Sequence, residues 1–298
     1  MQRSWSGVGT ALVTPFTADG ALDEPALRAL VERQIAGGVH FLVPCGTTGE
    51  TPTLSSAERD RVVSITVEVA AGRVPVLAGV GGYDTEEVAA QAAHVEKLGV
   101  QGLLSVTPYY NKPTQEGLYR HYERIASRTS LPIIVYNVPG RTGCNVEPRT
   151  LARLAGIDNI VGVKEASGNM TQICEVCRAV PDTFSVLCGD DALTLPSMAV
   201  GARGVISVAS NLVPDRMARM VNHALAGDFA SARAEHQALL PLMLVNFIES
   251  NPIPVKAALA MLGLCQEVYR LPLVPPSEAS RARIREVLSG LGLGVHAR

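Results

Sequence analysis

Short apolar, β-branched runs recur along the chain, with amphipathic segments between them. The runs are Val8–Phe16, Phe41–Cys45, Val74–Val80, Gly102–Pro108, Pro132–Asn137, Ile160–Lys164, Ser185–Cys188 and Gly204–Ala209. Their near-continuous apolar character is that of strands covered on both faces. The intervening segments carry helical spacing. In Asp23–Ile35, Leu27, Val31 and Ile35 share one face, and Pro25 falls in the first turn, where its missing N–H costs nothing. Ser55-Ser56-Ala57-Glu58 reads as a capping box opening a helix to Ala71, and Asp84-Thr85-Glu86-Glu87 repeats the signal for Val88–Leu98.

Eight strand–helix units predict an α/β fold of parallel strands joined by crossover helices. Eight repeats favour a closed (β/α)8 TIM barrel over an open doubly wound sheet. The barrel is expected to end near residue 225. Pro214–Ala226, Phe229–Ser250 and Ile253–Leu262 read as three extra helices, followed by a Pro-rich stretch, Leu271–Pro276, and a final helix, Glu278–Leu291. The expected division is a barrel over 1–225 that holds the active site and a helical extension over 226–298 packed on it.

Composition adds exclusions. A hydrophobic share of 47% with only 4% aromatics leaves Val, Leu, Ile and Ala to fill the core. A net charge of -2 gives no electrostatic reason to expect nucleic acid or an anionic membrane. No apolar run approaches transmembrane length, and the N-terminus lacks the pattern of a signal peptide, so a cytoplasmic protein is expected. Of the six cysteines, only Cys174-x-x-Cys177 form a close pair. It lies in a helical stretch with no second ligand pair, so helix packing is expected there, and no metal. Cys45 and Cys188 read as small core fillers. The six histidines are scattered away from the strand ends, which leaves a His-based mechanism without support.

Candidate chemistry begins with lysine usage. The 26 basic residues include only four lysines, Lys97, Lys112, Lys164 and Lys256. Lys112 reads as solvated and Lys256 as part of an exposed helix face. Lys164 closes a buried strand, where a desolvated amine can become a nucleophile, a role arginine cannot fill. In a barrel the strand C-termini build the active site, and the other polar motifs cluster there. Gly46-Thr47-Thr48-Gly49-Glu50 offers hydroxyls and N–H groups to a carboxylate, or is an ordinary turn-rich loop in which Glu50 is a structural hydrogen-bonding partner. Tyr109 and Tyr110 either relay a proton or form a rigid aromatic loop or oligomer contact. Arg141, in a Pro-Gly turn, holds a carboxylate or is a surface arginine. Asp190 and Asp191 read as caps of the next helix in preference to catalytic acids. Together, one lysine, three tyrosines (the third Tyr136), two threonines and one arginine converge on a barrel mouth. The set suits imine chemistry on a keto acid. Lysine attacks the keto carbon, threonines hold the carboxylate and a tyrosine moves protons.

These motifs, with Tyr109–Pro113, Tyr136–Gly143, Gly162–Gly168, Gly189–Asp191, Gly204–Ser207 and Asn251–Lys256, resemble the dihydrodipicolinate synthase family of pyruvate-dependent class I aldolases and lyases, essentially end to end. The resemblance implies a carbon–oxygen lyase that condenses pyruvate with L-aspartate 4-semialdehyde in the diaminopimelate route to lysine, with no metal or pyridoxal phosphate. It implies a Schiff base on Lys164 and a proton relay of Thr48, Tyr136 and Tyr110. Tyr136 is the acid–base group beside the imine, and Tyr110 comes from a neighbouring subunit, so the active form is at least a dimer and usually a homotetramer. Thr47 and Thr48 would hold the pyruvate carboxylate and Arg141 that of the semialdehyde, with the backbone of Gly189 and Ile206 lining the site. Lysine-inhibited members bind lysine at a subunit interface. Glu87 and Tyr109 fit that pattern, whereas Ser56, Arg59 and Tyr83 depart from it, so weak or absent lysine feedback is expected. The nearest rivals are an N-acetylneuraminate lyase or keto-deoxy sugar acid aldolase of the same superfamily, and a non-catalytic keto-acid-binding paralogue.

Overall fold

The computed structural model describes residues 5–294. Eight parallel strands, β1 (Gly7–Ala11), β2 (Phe41–Val43), β3 (Leu77–Gly81), β4 (Gly102–Val106), β5 (Ile133–Asn137), β6 (Ile160–Glu165), β7 (Ser185–Cys188) and β8 (Gly204–Ser207), run in the order β2-β1-β8-β7-β6-β5-β4-β3. A parallel bridge between Leu42 and Val76 joins the two ends, so the sheet closes into a TIM barrel. Helices alternate with the strands: α1 (Glu24–Ala36), α2 (Ser56–Ala70), α3 (Thr85–Val95), α4 (Gln115–Ala126), α5 (Pro139–Thr142), α6 (Pro148–Leu154), α7 (Met170–Ala179), α8 (Thr194–Ala199) and α9 (Pro214–Leu225). α10 (Phe229–Val245), α11 (Ile253–Met261) and α12 (Glu278–Gly290) follow.

Local chemistry sets these boundaries. Asp23 caps α1 by accepting from the Ala26 amide, and the Ser55–Glu58 capping box opens α2 with both of its reciprocal bonds. The apolar run Val8–Phe16 is longer than its strand. β1 ends at Ala11 because the Val13 amide turns to the Asn211 side chain and Pro15 has no amide to offer. Pro214–Leu225 is not an extra helix. It lies against β1 and α1 as the last member of the barrel's outer ring, so two helices and the final one lie beyond it.

The apolar core has two layers. The larger fills the space between sheet and helices. The smaller fills the barrel itself, with Phe41, Leu77, Leu104, Ile134, Tyr136, Leu187 and Ile206 among its members. Trp5 plugs the N-terminal end and meets the Phe41 ring edge-on at 5.2 Å. Among the described residues no helix is long and apolar enough to cross a membrane.

His121 on α4 is an acid-sensitive point in the outer layer. It is buried, its Nδ1 meets the Thr85 hydroxyl at 2.9 Å, and burial pushes its pKa from 6.5 down to about 4. The unfolded chain therefore takes the proton first. The stability tied to neutral His121 is whole above about pH 6.5 and is lost as pH falls toward 4. His121→Asn should flatten the pH dependence of the unfolding free energy across that window by up to about 3 kcal/mol. Urea unfolding at a series of pH values reads this, and an unchanged slope would remove His121 as the cause.

Candidate active site

Lys164 faces the barrel interior because of an irregularity in β6. Opposite β5, Ile133 pairs with Ile160 but Ile134 pairs with Gly162, which leaves Val161 as an extra residue. Val161 packs in the inner layer and Val163 in the outer one. The bulge resets the alternation so that Lys164 pairs with Tyr136 and Leu187, both inward, while Glu165 turns outward. Lys164 is 6% exposed, and its Nζ lies 4.2 Å from the centre of the Tyr136 ring. Gly189 preserves the space beside it. A Cβ there would come 2.5 Å from the Ala166 Cβ and 3.1 Å from the Lys164 Cε.

The outward residues form a buried polar scaffold under the mouth. Glu165 accepts from the side-chain amides of Asn137 and Gln172 and from the Ser167 N–H. Asn137 in turn accepts from the Val146 amide and donates to Asn145. The segment after β5 that bears Arg141 is thereby tied to the strand that bears Lys164.

After β2 the chain makes two 3-10 turns, Thr47–Gly49 and Thr51–Thr53, hinged at Glu50 with φ 53°. The Gly49 carbonyl accepts from the Thr14 hydroxyl at 2.7 Å. Such a turn leaves its leading amides, those of Thr47 and Thr48, without acceptors inside the turn. The approach of β3 behind this loop requires glycine, since a Cβ on Gly79 would fall 2.0 Å from the Cys45 carbonyl oxygen. The Thr48 hydroxyl accepts from Asn251 Nδ2 at 3.0 Å, and the Asn251 carbonyl accepts from Arg141 Nη2 at 3.0 Å. One residue at the entry to α11 therefore bridges the threonine loop and the arginine.

Several expectations change. Lys256 is not on an exposed face. Its side chain has no exposed surface and pairs with Glu50 at 2.5 Å. Burial lowers the pKa of its ammonium, and Glu50 opposes the shift. All nine residues of α11 are buried; an apolar run on every face of a helix was the available signal. Asp190 does cap, accepting from the Ala192 amide, but Asp191 is buried and accepts from the Val208 and Ala209 amides, joining the β7 and β8 loops. Burial raises the Asp191 pKa. Cys45 and Cys188 are core fillers, their thiols pushed up to about 12 by burial. Asn251 and the Asn137–Glu165–Gln172 scaffold had no role assigned to them from the sequence. No local period marks them, because their partners lie far away in sequence.

Ile206 is fully buried in the inner layer that also holds Tyr136, and Arg141 is exposed at the rim. Tyr110, with φ 74°, is 90% exposed, while Tyr109 packs edge-on against Tyr83 at 5.4 Å. Ser56, Arg59 and Glu87 come together in the wall of a separate cavity of about 600 Å³ between α2 and α3. Among the described residues, no cluster of three or more His, Cys, Asp or Glu side chains is placed to hold a metal ion.

A model of the Dihydrodipicolinate synthetase family matches residues 4–291. A 4-hydroxy-tetrahydrodipicolinate synthase of Koribacter versatilis is 54% identical over 288 residues, 96% of each chain. The crystal structure of dihydrodipicolinate synthase from Aquifex aeolicus superposes with a TM-score of 0.96 at 45% identity, over 98% of this chain and 100% of that one. A pyruvate complex of the chloride-inhibited enzyme from Acinetobacter baumannii gives a TM-score of 0.95 at 42% identity, over 97% and 99% of the two chains.

Proposed function

The chain belongs to the dihydrodipicolinate synthetase family, and from that premise we propose that it acts as a 4-hydroxy-tetrahydrodipicolinate synthase through a pyruvate imine on Lys164. The observation that carries this reading is a buried lysine on the inner wall, stacked on a tyrosine, with a glycine-made space beside it. The Lys164 amine adds to C2 of pyruvate and water leaves, giving the imine. The imine is the electron sink, so loss of a proton from C3 gives an enamine with no metal or further cofactor required. The enamine carbon adds to the aldehyde of L-aspartate 4-semialdehyde. The amino group of that substrate then attacks C2, closes the ring and releases Lys164.

The remaining roles are those the family resemblance implies, and placement supports them. The Thr47–Thr48 turn receives the keto-acid carboxylate, and Arg141, held by the Asn251 carbonyl at the rim, receives that of the semialdehyde. Tyr136, against Lys164, moves protons at the imine, and Thr48 shares in the relay. Tyr110, exposed in the single chain, completes that relay in a neighbouring copy, so the active form is a homo-oligomer, a dimer of dimers. Six free cysteines suit a reducing cytoplasm. Arg59 and Ser56 in the α2–α3 cavity, and Tyr83 beside Tyr109, go with weak lysine feedback, so micromolar lysine should leave the rate of the purified enzyme unchanged. Strong inhibition at that concentration would sink this part of the reading.

The central test is pyruvate plus borohydride, followed by mass mapping. A reduced adduct is expected on Lys164, and a folded protein without one would overturn the imine. A panel of aldehydes settles the acceptor, with semialdehyde preferred over sugar-derived aldehydes. Arg141→Ala should raise the KM for semialdehyde by about 100-fold, the scale of a lost charge-assisted pair, and leave pyruvate trapping nearly intact. Equal loss of both would remove Arg141 as the acceptor's anchor.

A further inference from the structure

The Glu50–Lys256 pair takes no part in the imine chemistry, yet it is the most deeply buried ion pair described in the chain. Neither side chain has exposed surface, and the partners are 206 positions apart in sequence. Two charges taken out of water recover their desolvation only with good geometry and further hydrogen bonds, and well-packed apolar residues of similar volume often hold the same elements as firmly. Stability alone is therefore a weak reason for the pair.

Its position supplies a stronger one. Glu50 is the hinge shared by the two 3-10 turns, and the residues just before it are Thr47, Thr48 and Gly49. One carboxylate oxygen meets the Lys256 ammonium and the other accepts from the Arg270 amide at 3.3 Å, so the carboxylate is fixed in rotation as well as in place. The ammonium is seated in turn. It lies 4.1 Å from the centre of the Phe16 ring and 5.6 Å from that of Tyr269. The segment that carries Lys256 also carries Asn251, which donates to the Thr48 hydroxyl. The threonine turn is thus gripped at two points from one element, and the second grip is ionic and directional where an apolar contact would let the turn slide.

We propose that Lys256 and Glu50 are positioning residues. Through the Glu50 hinge they hold the Thr47–Thr48 turn in the geometry that receives the keto-acid carboxylate, and they set the affinity for the imine-forming substrate more than the rate of imine formation. The proposal rests on Lys164 as the imine-forming residue, so the wild-type adduct is the control that separates the two ideas.

The test uses Glu50→Gln, Lys256→Met and the charge-free pair Glu50→Leu with Lys256→Met, all in the full chain. The double variant leaves no lone buried charge and is the one expected to fold well if either single variant is unstable. Pyruvate is titrated in borohydride trapping, with the adduct on Lys164 quantified in the folded fraction. The concentration giving half-maximal trapping should rise about tenfold or more in all three, with trapping at saturating pyruvate changed less than about threefold. A purely structural pair predicts a different result, lowered melting temperature in the single variants and a double variant that binds pyruvate like the wild type. That result would overturn the proposal. A wild-type protein that carries no adduct on Lys164 would instead overturn the imine reading on which it rests.

Discussion

Lys164→Ala is expected to lower kcat on the order of 10⁴-fold or more, the scale on which a covalent nucleophile is lost. The loss should be one of chemistry and not of folding. Lys164 is buried against the Tyr136 ring, and removing an amine from an apolar wall relieves desolvation, so the melting temperature should hold or rise. Pyruvate should still bind weakly without a covalent bond, because the threonine turn is held by Thr14 and Asn251. Lys164→Arg keeps a cation on the same strand but offers no amine that can form an imine. It should be as inactive as the alanine variant, and a rate above about one hundredth of wild type in either would show that the covalent step runs elsewhere.

The second large effect is expected from Tyr136→Phe, which should lower kcat by about 10² to 10³, within the usual contribution of a positioned acid–base group. The substitution isolates the hydroxyl. Tyr136 packs in the inner layer with Ile134, Leu187 and Ile206, and phenylalanine keeps that ring. The imine should still form, more slowly, and the defect should grow at the steps in which protons leave C3 or move during ring closure. Stopped-flow trapping compared with steady-state turnover separates these steps. Full turnover in the Tyr136→Phe enzyme would assign the proton transfers to another group.

The strand ends were legible because barrel strands are short, apolar and buried, and because polar residues there interrupt a simple pattern. Lys164, the Gly46–Glu50 loop and Tyr136 all announce themselves in this way. What stayed hidden depends on partners distant in the chain. The burial of Lys256 is set by Glu50, Phe16 and Tyr269, which meet only after the barrel closes. Asn251 gains its meaning from Thr48 and Arg141 at once. Pro214–Leu225 looks extra along the sequence and becomes part of the ring because β1 and β8 are neighbours. Asp191 resembles a cap by its place after a strand, yet its acceptors serve the end of the next strand.

The irregularity at Val161 makes catalysis a matter of parity. With the bulge, Lys164 points inward; were Ile160–Lys164 to run as a regular strand with all five residues and Ile160 still opposite Ile133, alternation would carry Glu165 to the interior and turn the amine toward the helices. A single-codon deletion of Val161 therefore takes out the bulge and leaves Lys164 opposite Tyr136 on the inner wall. The bulge thus stores one residue of slack in this five-residue stretch, and the strand can lose it without moving the amine to the other face.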